Sequence, residues 1–158
     1  MEEMDKYAKT DCKVRIINNT DRNITIDIDD YNDLDWMDGP KTVLNGQPIT
    51  NNCSFEFILR SKDSRTRCWF QMNNKFVNPS NSDDYFYVGM TGIELKTNDG
   101  SRQAKREERT EYYTQCNIKV TIKIETPTTG AYSLDIIYDN WICKDIIYGI
   151  AGAWSCQH

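Results

Sequence analysis

One histidine stands in 158 residues, His158 at the very end of the chain, and its scarcity removes the commonest acid–base catalyst at neutral pH. No G-x-S-x-G, P-loop or G-x-G-x-x-G motif is present, and no spacing singles out one carboxylate as acid and another as base. An enzyme is not expected, and no cofactor is implied. The six cysteines include no C-x-x-C pair, which argues against zinc and thioredoxin-like chemistry. No apolar stretch approaches the roughly 20 residues that cross a bilayer as a helix. The charged opening Met1-Glu2-Glu3-Met4-Asp5-Lys6 has no signal-peptide core, so the chain is expected either to be cytosolic or to be shown without its leader. Basic excess is missing too: 19 Lys and Arg against 24 Asp and Glu leave a formal charge of −5, the wrong sign for a nucleic-acid binder.

What the chain has in quantity is alternation. Residues 14–18 and 24–28 alternate apolar and polar side chains around Asn19-Thr20-Asp21-Arg22, which predicts a hairpin. The spans 53–60 and 66–72 do the same across Ser61-Lys62-Asp63-Ser64, and 118–124 pairs with 132–138 across Thr126-Pro127-Thr128-Thr129-Gly130. Residues 85–90 and 93–97 are β-like, 41–44 a short strand before the Asn45-Gly46 turn, and 31–40 and 73–84 read as loops. Many short strands at such spacing predict an all-β fold. The expectation is a single β-sandwich domain over 1–158, with about ten mostly antiparallel strands, an N-terminal tail (1–11) and a C-terminal extension (139–158). The apolar run from Ile146 to Trp154 is expected to cover the sandwich as a strand or strap.

Cys12, Cys53 and Cys116 share strand parity with apolar neighbours and are expected to face the core as free thiols, while Cys143 and Cys156 are the favoured bridge if one forms. Asn18-Asn19-Thr20, Asn23-Ile24-Thr25 and Asn52-Cys53-Ser54 are glycosylation sequons that matter only in a secreted chain. Asp27, Asp29, Asp30, Asp33, Asp35 and Asp38 cluster closely. Of these, Asp33, Asp35 and Asp38 only imitate the opening of a calcium loop, because the later bidentate Glu is missing.

The segment 99–113 reads as a helix, with its body over about 101–113. At about 100° per residue, Arg102, Lys105, Arg106 and Arg109 fall in one stripe, Tyr113 projects onto it and Tyr112 lies at its edge; Glu107, Glu108 and Glu111 collect opposite. The arrangement sets like charges at i, i+4 three times, each costing a few tenths of a kcal/mol. Such segregation predicts an anion-facing surface.

Tyr85-Phe86-Tyr87, Ile93-Glu94-Leu95-Lys96, Gly100, Arg102-Gln103-Ala104, the Tyr112-Tyr113 pair and Gly130-Ala131-Tyr132-Ser133-Leu134-Asp135-Ile136-Ile137 follow one another in an order that resembles the second half of the actinoporin-like superfamily. That superfamily includes sea-anemone pore-forming toxins and fungal fruit-body lectins. Val14-Arg15-Ile16-Ile17-Asn18-Asn19-Thr20 bears a weaker resemblance to aegerolysins. The resemblance implies a secreted cytolysin-type protein that binds choline-containing phospholipid through Tyr87, Tyr112, Tyr113 and Pro79 beside the basic Arg102, Lys105, Arg106 and Arg109, and that could assemble as a homo-oligomer on a membrane. The alternative it implies is a lectin on the same scaffold, binding cell-surface glycan without forming pores. Glu108 stands where the toxins place a further tyrosine, Met90 and Thr91 stand where they place tryptophans, and no amphipathic inserting helix is present in this sequence.

Overall fold

The computed structural model describes residues 11–32, 34–36, 44–61, 68–89, 93–95, 105–113, 115–126, 132–146 and 154–157. β1 (Asp11–Asn19) shows why the chain builds sheets: Cys12, Val14, Ile16 and Asn18 are buried and the residues between them are not. One face must therefore be covered, and a second sheet covers it. The first sheet sets β1 between β6 (Cys53–Ser61), antiparallel, and β12 (Tyr132–Asn140), parallel. β11 (Ile118–Thr126) and β10 (Lys105–Tyr113) continue beyond β12, and β4 (Leu34–Trp36) closes the other side.

The second sheet is organised around β7 (Cys68–Asn78). β2 (Asn23–Thr25), β3 (Ile28–Asn32), β8 (Asn81–Gly89) and β9 (Ile93–Leu95) all pair with β7, and β5 (Pro48–Ile49) pairs with β2. Ile24, Ile28, Ile49, Phe70, Met72, Phe76 and Val88 from this sheet meet Val14, Ile16, Phe57, Leu59, Val120, Ile122, Leu134 and Ile136 from the first. Phe76 packs edge-on to Tyr138 at 5.1 Å and stacks on Phe86 at 5.5 Å, so aromatic rings fill the space between sheets. β13 (Ile142–Ile146) and β14 (Trp154–Gln157) form a separate two-stranded sheet.

The expected all-β sandwich is what forms, with twelve described strands in its two sheets. The helix is not: residues 105–113 are strand β10, paired over its whole length with β11, and 101–104 lie outside the described residues. Charge explains the outcome. At strand period, Lys105, Glu107, Arg109 and Glu111 alternate in sign along one face, so the like charges that a helix would bring together lie about 13 Å apart with an opposite charge between them.

Five other expectations give way, the first being that 53–60 and 66–72 form a hairpin: β6 and β7 lie in different sheets, so the chain crosses the sandwich between them. β1 and β2 are consecutive but belong to different sheets, because buried Asn18 closes the turn: its amide nitrogen donates to the carbonyls of Arg22 (2.8 Å) and Ile49 (2.7 Å), and its oxygen accepts from the Thr20 amide (2.9 Å) and hydroxyl (2.6 Å). Residues 73–84 hold the second half of β7 and the start of β8, since buried Asn74 continues the alternation that its polarity hides. The acidic stretch read as loop contains β3 and β4. Cys12 is buried and Cys116 packs at the core margin, but Cys53 lies at the exposed start of β6. Residues 41–43 lie outside the described residues.

Candidate functional site

The two outer faces of the sandwich differ in chemistry. On the first sheet, register lines up Glu108, Lys123, Asp135, Arg15 and Glu56 across five strands, alternating in sign. Arg15 donates to Asp135 through Nε (3.3 Å) and Nη2 (2.9 Å), and this hydrogen bond, then the charge of Asp135, raises the guanidinium pKa. Lys13 lies 3.7 Å from Glu56, and Arg106 lies 3.3 Å from Glu125. Charges spent on neighbours leave little net field for an anionic ligand. Arg106 therefore belongs to a neutralised ladder.

On the inner side of β10, Glu107, Arg109, Glu111 and Tyr113 stand opposite Ile124, Ile122, Val120 and Ile118. Arg109 Nε lies 3.5 Å from Glu111 Oε1, and the single proton of the Tyr113 hydroxyl has two acceptors within reach, Glu111 Oε2 at 2.9 Å and the Gly89 carbonyl. Burial first, then the bond to Glu111, pushes the Tyr113 phenol above its ordinary 10.0. The hydroxyl is a neutral tie between the sheets. A groove of about 420 Å³ lies alongside, lined by Arg106, Glu107, Glu108, Arg109, Ile122 and Ile124.

The outer face of the second sheet carries exposed rings where β7 pairs with β8. β7 and β8 are in register Lys75 to Tyr87 and Val77 to Tyr85; β2 sets Thr25 against Lys75 and Asn23 against Val77, and Pro48 of β5 faces Thr25. Strand parity adds Asn73 and Gln71 farther along β7. Tyr85 is 49% exposed and Tyr87 50%, unusual for large rings on a sheet surface, and they stand edge to face with centroids 6.0 Å apart. Lys75 Nζ lies 4.2 Å from the Tyr85 ring centre. Within those two rows Lys75 is the sole charge.

The hairpin that presents these tyrosines is braced at its far end. Arg22, from the turn after β1, donates to the Asp84 carbonyl (2.9 Å) and pairs with the Asp84 carboxylate (3.1 Å), while its guanidinium carbon lies 4.7 Å over the Phe86 ring. Asn78 donates to Asp84 Oδ2 at 3.0 Å. That bond, then the one from Arg22, lowers the Asp84 pKa.

The residues implied by resemblance do not come together. Tyr87 is on the outer face of the second sheet; Tyr112 is on the outer face of the first, its ring centre 4.7 Å from that of Trp141. Tyr113 points its hydroxyl to the interior, and Pro79 lies in the β7–β8 turn, eight residues along from Tyr87. Arg102 lies outside the described residues, Lys105 sits at a register position opposite Thr126, and Arg109 is on the inner side. Asp33 and Asp38 lie outside the described residues, Asp35 occupies a register position opposite Arg60, and no metal-holding group occurs among the described residues. Of the sequon asparagines, Asn18 has its amide nitrogen committed inside the fold, whereas Asn52 is exposed in a left-handed turn with φ 62°.

Sequence reasoning missed Lys75 and Asn73 because they fall in a stretch rich in Asn that reads as loop; the signal that could have found them is the alternation Met72, Asn74, Phe76. No protein-family model matches the chain, and a search of curated proteins finds no match either.

Proposed function

We propose that the protein is a non-catalytic glycan-binding module whose ligand surface is the tyrosine face of β7 and β8. The observation that carries this reading is the pair of half-exposed rings, Tyr85 and Tyr87, on a rigid sheet beside Lys75. A sugar ring offers axial C–H groups to an aromatic face and hydroxyls to polar neighbours; Lys75, Asn73 and Gln71 supply the donors. A glycan array probed with the wild-type chain should show a defined set of ligands, and Tyr87→Ala should weaken their binding at least tenfold while leaving thermal unfolding within a few degrees. Loss of no ligand on that substitution would remove the reading.

One observation favours a second ligand class. The ammonium of Lys75 stands over the Tyr85 ring, and a ring face that holds one cation supports the trimethylammonium of a phosphocholine headgroup as a ligand. Co-sedimentation with sphingomyelin or phosphatidylcholine vesicles that is lost in Tyr85→Ala, together with a blank glycan array, would transfer the site from sugar to headgroup. The basic stripe has no part in either ligand reading.

A further inference from the structure

We propose that Cys143 and Cys156 form a disulfide that clasps the C-terminal hairpin. β13 and β14 pair with each other and with neither six-stranded sheet among the described residues. A two-stranded hairpin by itself is marginal in water, because it has no partner layer over which to bury a face. It needs another restraint. The register sets Cys143 directly opposite Cys156, flanked by Ile142 opposite Gln157 and Lys144 opposite Ser155. Directly opposed residues of an antiparallel pair have Cα atoms about 4.5–5.5 Å apart, inside the range of about 4.4–6.8 Å that a disulfide spans. No other two cysteines are register partners in the described strands: Cys12 faces Leu59 and Tyr132, Cys53 faces Asn18, and Cys68 faces Leu95.

The remaining chemistry points the same way. Burial pushes the Cys116 thiol up, so it resists forming the thiolate that exchange requires. With glutathione disulfide as oxidant, one hairpin thiolate attacks a glutathione sulfur and expels a glutathione thiolate; the second hairpin thiolate then displaces the other glutathione. One S–S bond forms in the chain and one breaks in the oxidant, with two glutathione thiols released.

The peptide map makes the test direct. Full-length protein equilibrated with glutathione disulfide is alkylated with iodoacetamide in urea without reductant and digested with trypsin. Cleavage after Lys123 and Lys144 places Cys143 alone in 124–144 and Cys156 alone in 145–158. The expected result is a single species joining these peptides, which dithiothreitol splits. Separate peptides, each carbamidomethylated, or Cys143 joined to another cysteine, would overturn the proposal. In native protein, Cys143→Ser should raise tryptic cleavage after Lys144 about tenfold over the oxidised wild type; unchanged cleavage would mean that no clasp restrains the hairpin.

Discussion

Asn74 illustrates how one polar residue can be worth more to this fold than its neighbours. It is fully buried, its oxygen accepts from the Asp27 amide at 3.0 Å, and its nitrogen donates to the Tyr138 hydroxyl at 2.9 Å, so a single amide links a turn of the second sheet to a core strand of the first. Asn74→Ala would leave the buried Tyr138 hydroxyl and the half-buried Asp27 amide without it and should cost about 2–4 kcal/mol in urea unfolding. Tyr138→Phe should cost about 1–2 kcal/mol, and the double variant less than the sum. Asp84 carries a pH signature. Its folded pKa lies below the ordinary 3.8, through Asn78 and then Arg22, so its contribution is complete above 3.8 and is lost as pH falls through the lower folded value. Asp84→Asn should therefore flatten the acid limb of a melting-temperature profile recorded from pH 5 to pH 2, with the largest difference from wild type at the upper end.

At the scale of elements, β10 shows period deciding between two readings of one segment. Every charged position is visible in the sequence, yet 100° per residue collects the basic side chains and 180° interleaves them with glutamates. Like-charge pairs are a cost that the helix carries and the strand does not: Glu107 now separates Lys105 from Arg109, Arg109 separates Glu107 from Glu111, and on the other face Arg106 meets Glu125 and Glu108 meets Lys123. Glu108→Lys should place like charges directly opposite and destabilise the chain by about 0.5–1 kcal/mol in dilute buffer. Raising the salt to about 1 M, where the screening length is about 3 Å, should erase most of that difference. The same logic explains β7. Asn73, Asn74 and Asn78 carry the composition of a loop, but the buried positions 70, 72, 74 and 76 keep strict alternation, and pairing on both sides overrides local preference.

At the scale of the whole molecule, β1 lies beside β6 and β12, so contacts made near the start of the chain wait for residues more than a hundred positions later. Such pairing is non-local and predicts refolding on the millisecond-to-second scale, measurable by stopped-flow fluorescence. Ile16, completely buried between those strands, should cost about 2–5 kcal/mol when changed to Ala. The two outer faces inherit different roles from this topology. One is a ladder of matched charges, and the other holds half-exposed tyrosines and amides. Among the described residues, the second is the face that sets two exposed rings side by side.

The amino-acid sequence by itself determined the class of fold and most of the core, because burial of one sheet face is written as strict alternation in Val14-Ile16, Phe57-Leu59, Val120-Ile122 and Leu134-Ile136. It also determined the 118–124 with 132–138 pairing, where a short turn leaves little choice of partner. Tertiary structure alone decided that β1 and β2 part company, that β10 is a strand, and that Tyr87, Tyr112 and Tyr113 point to three different places. Those outcomes depend on which strand supplies the neighbouring hydrogen bonds and on which side a second sheet lies. Neither is encoded within a local window, since a shift of one residue in register exchanges the two faces of a strand.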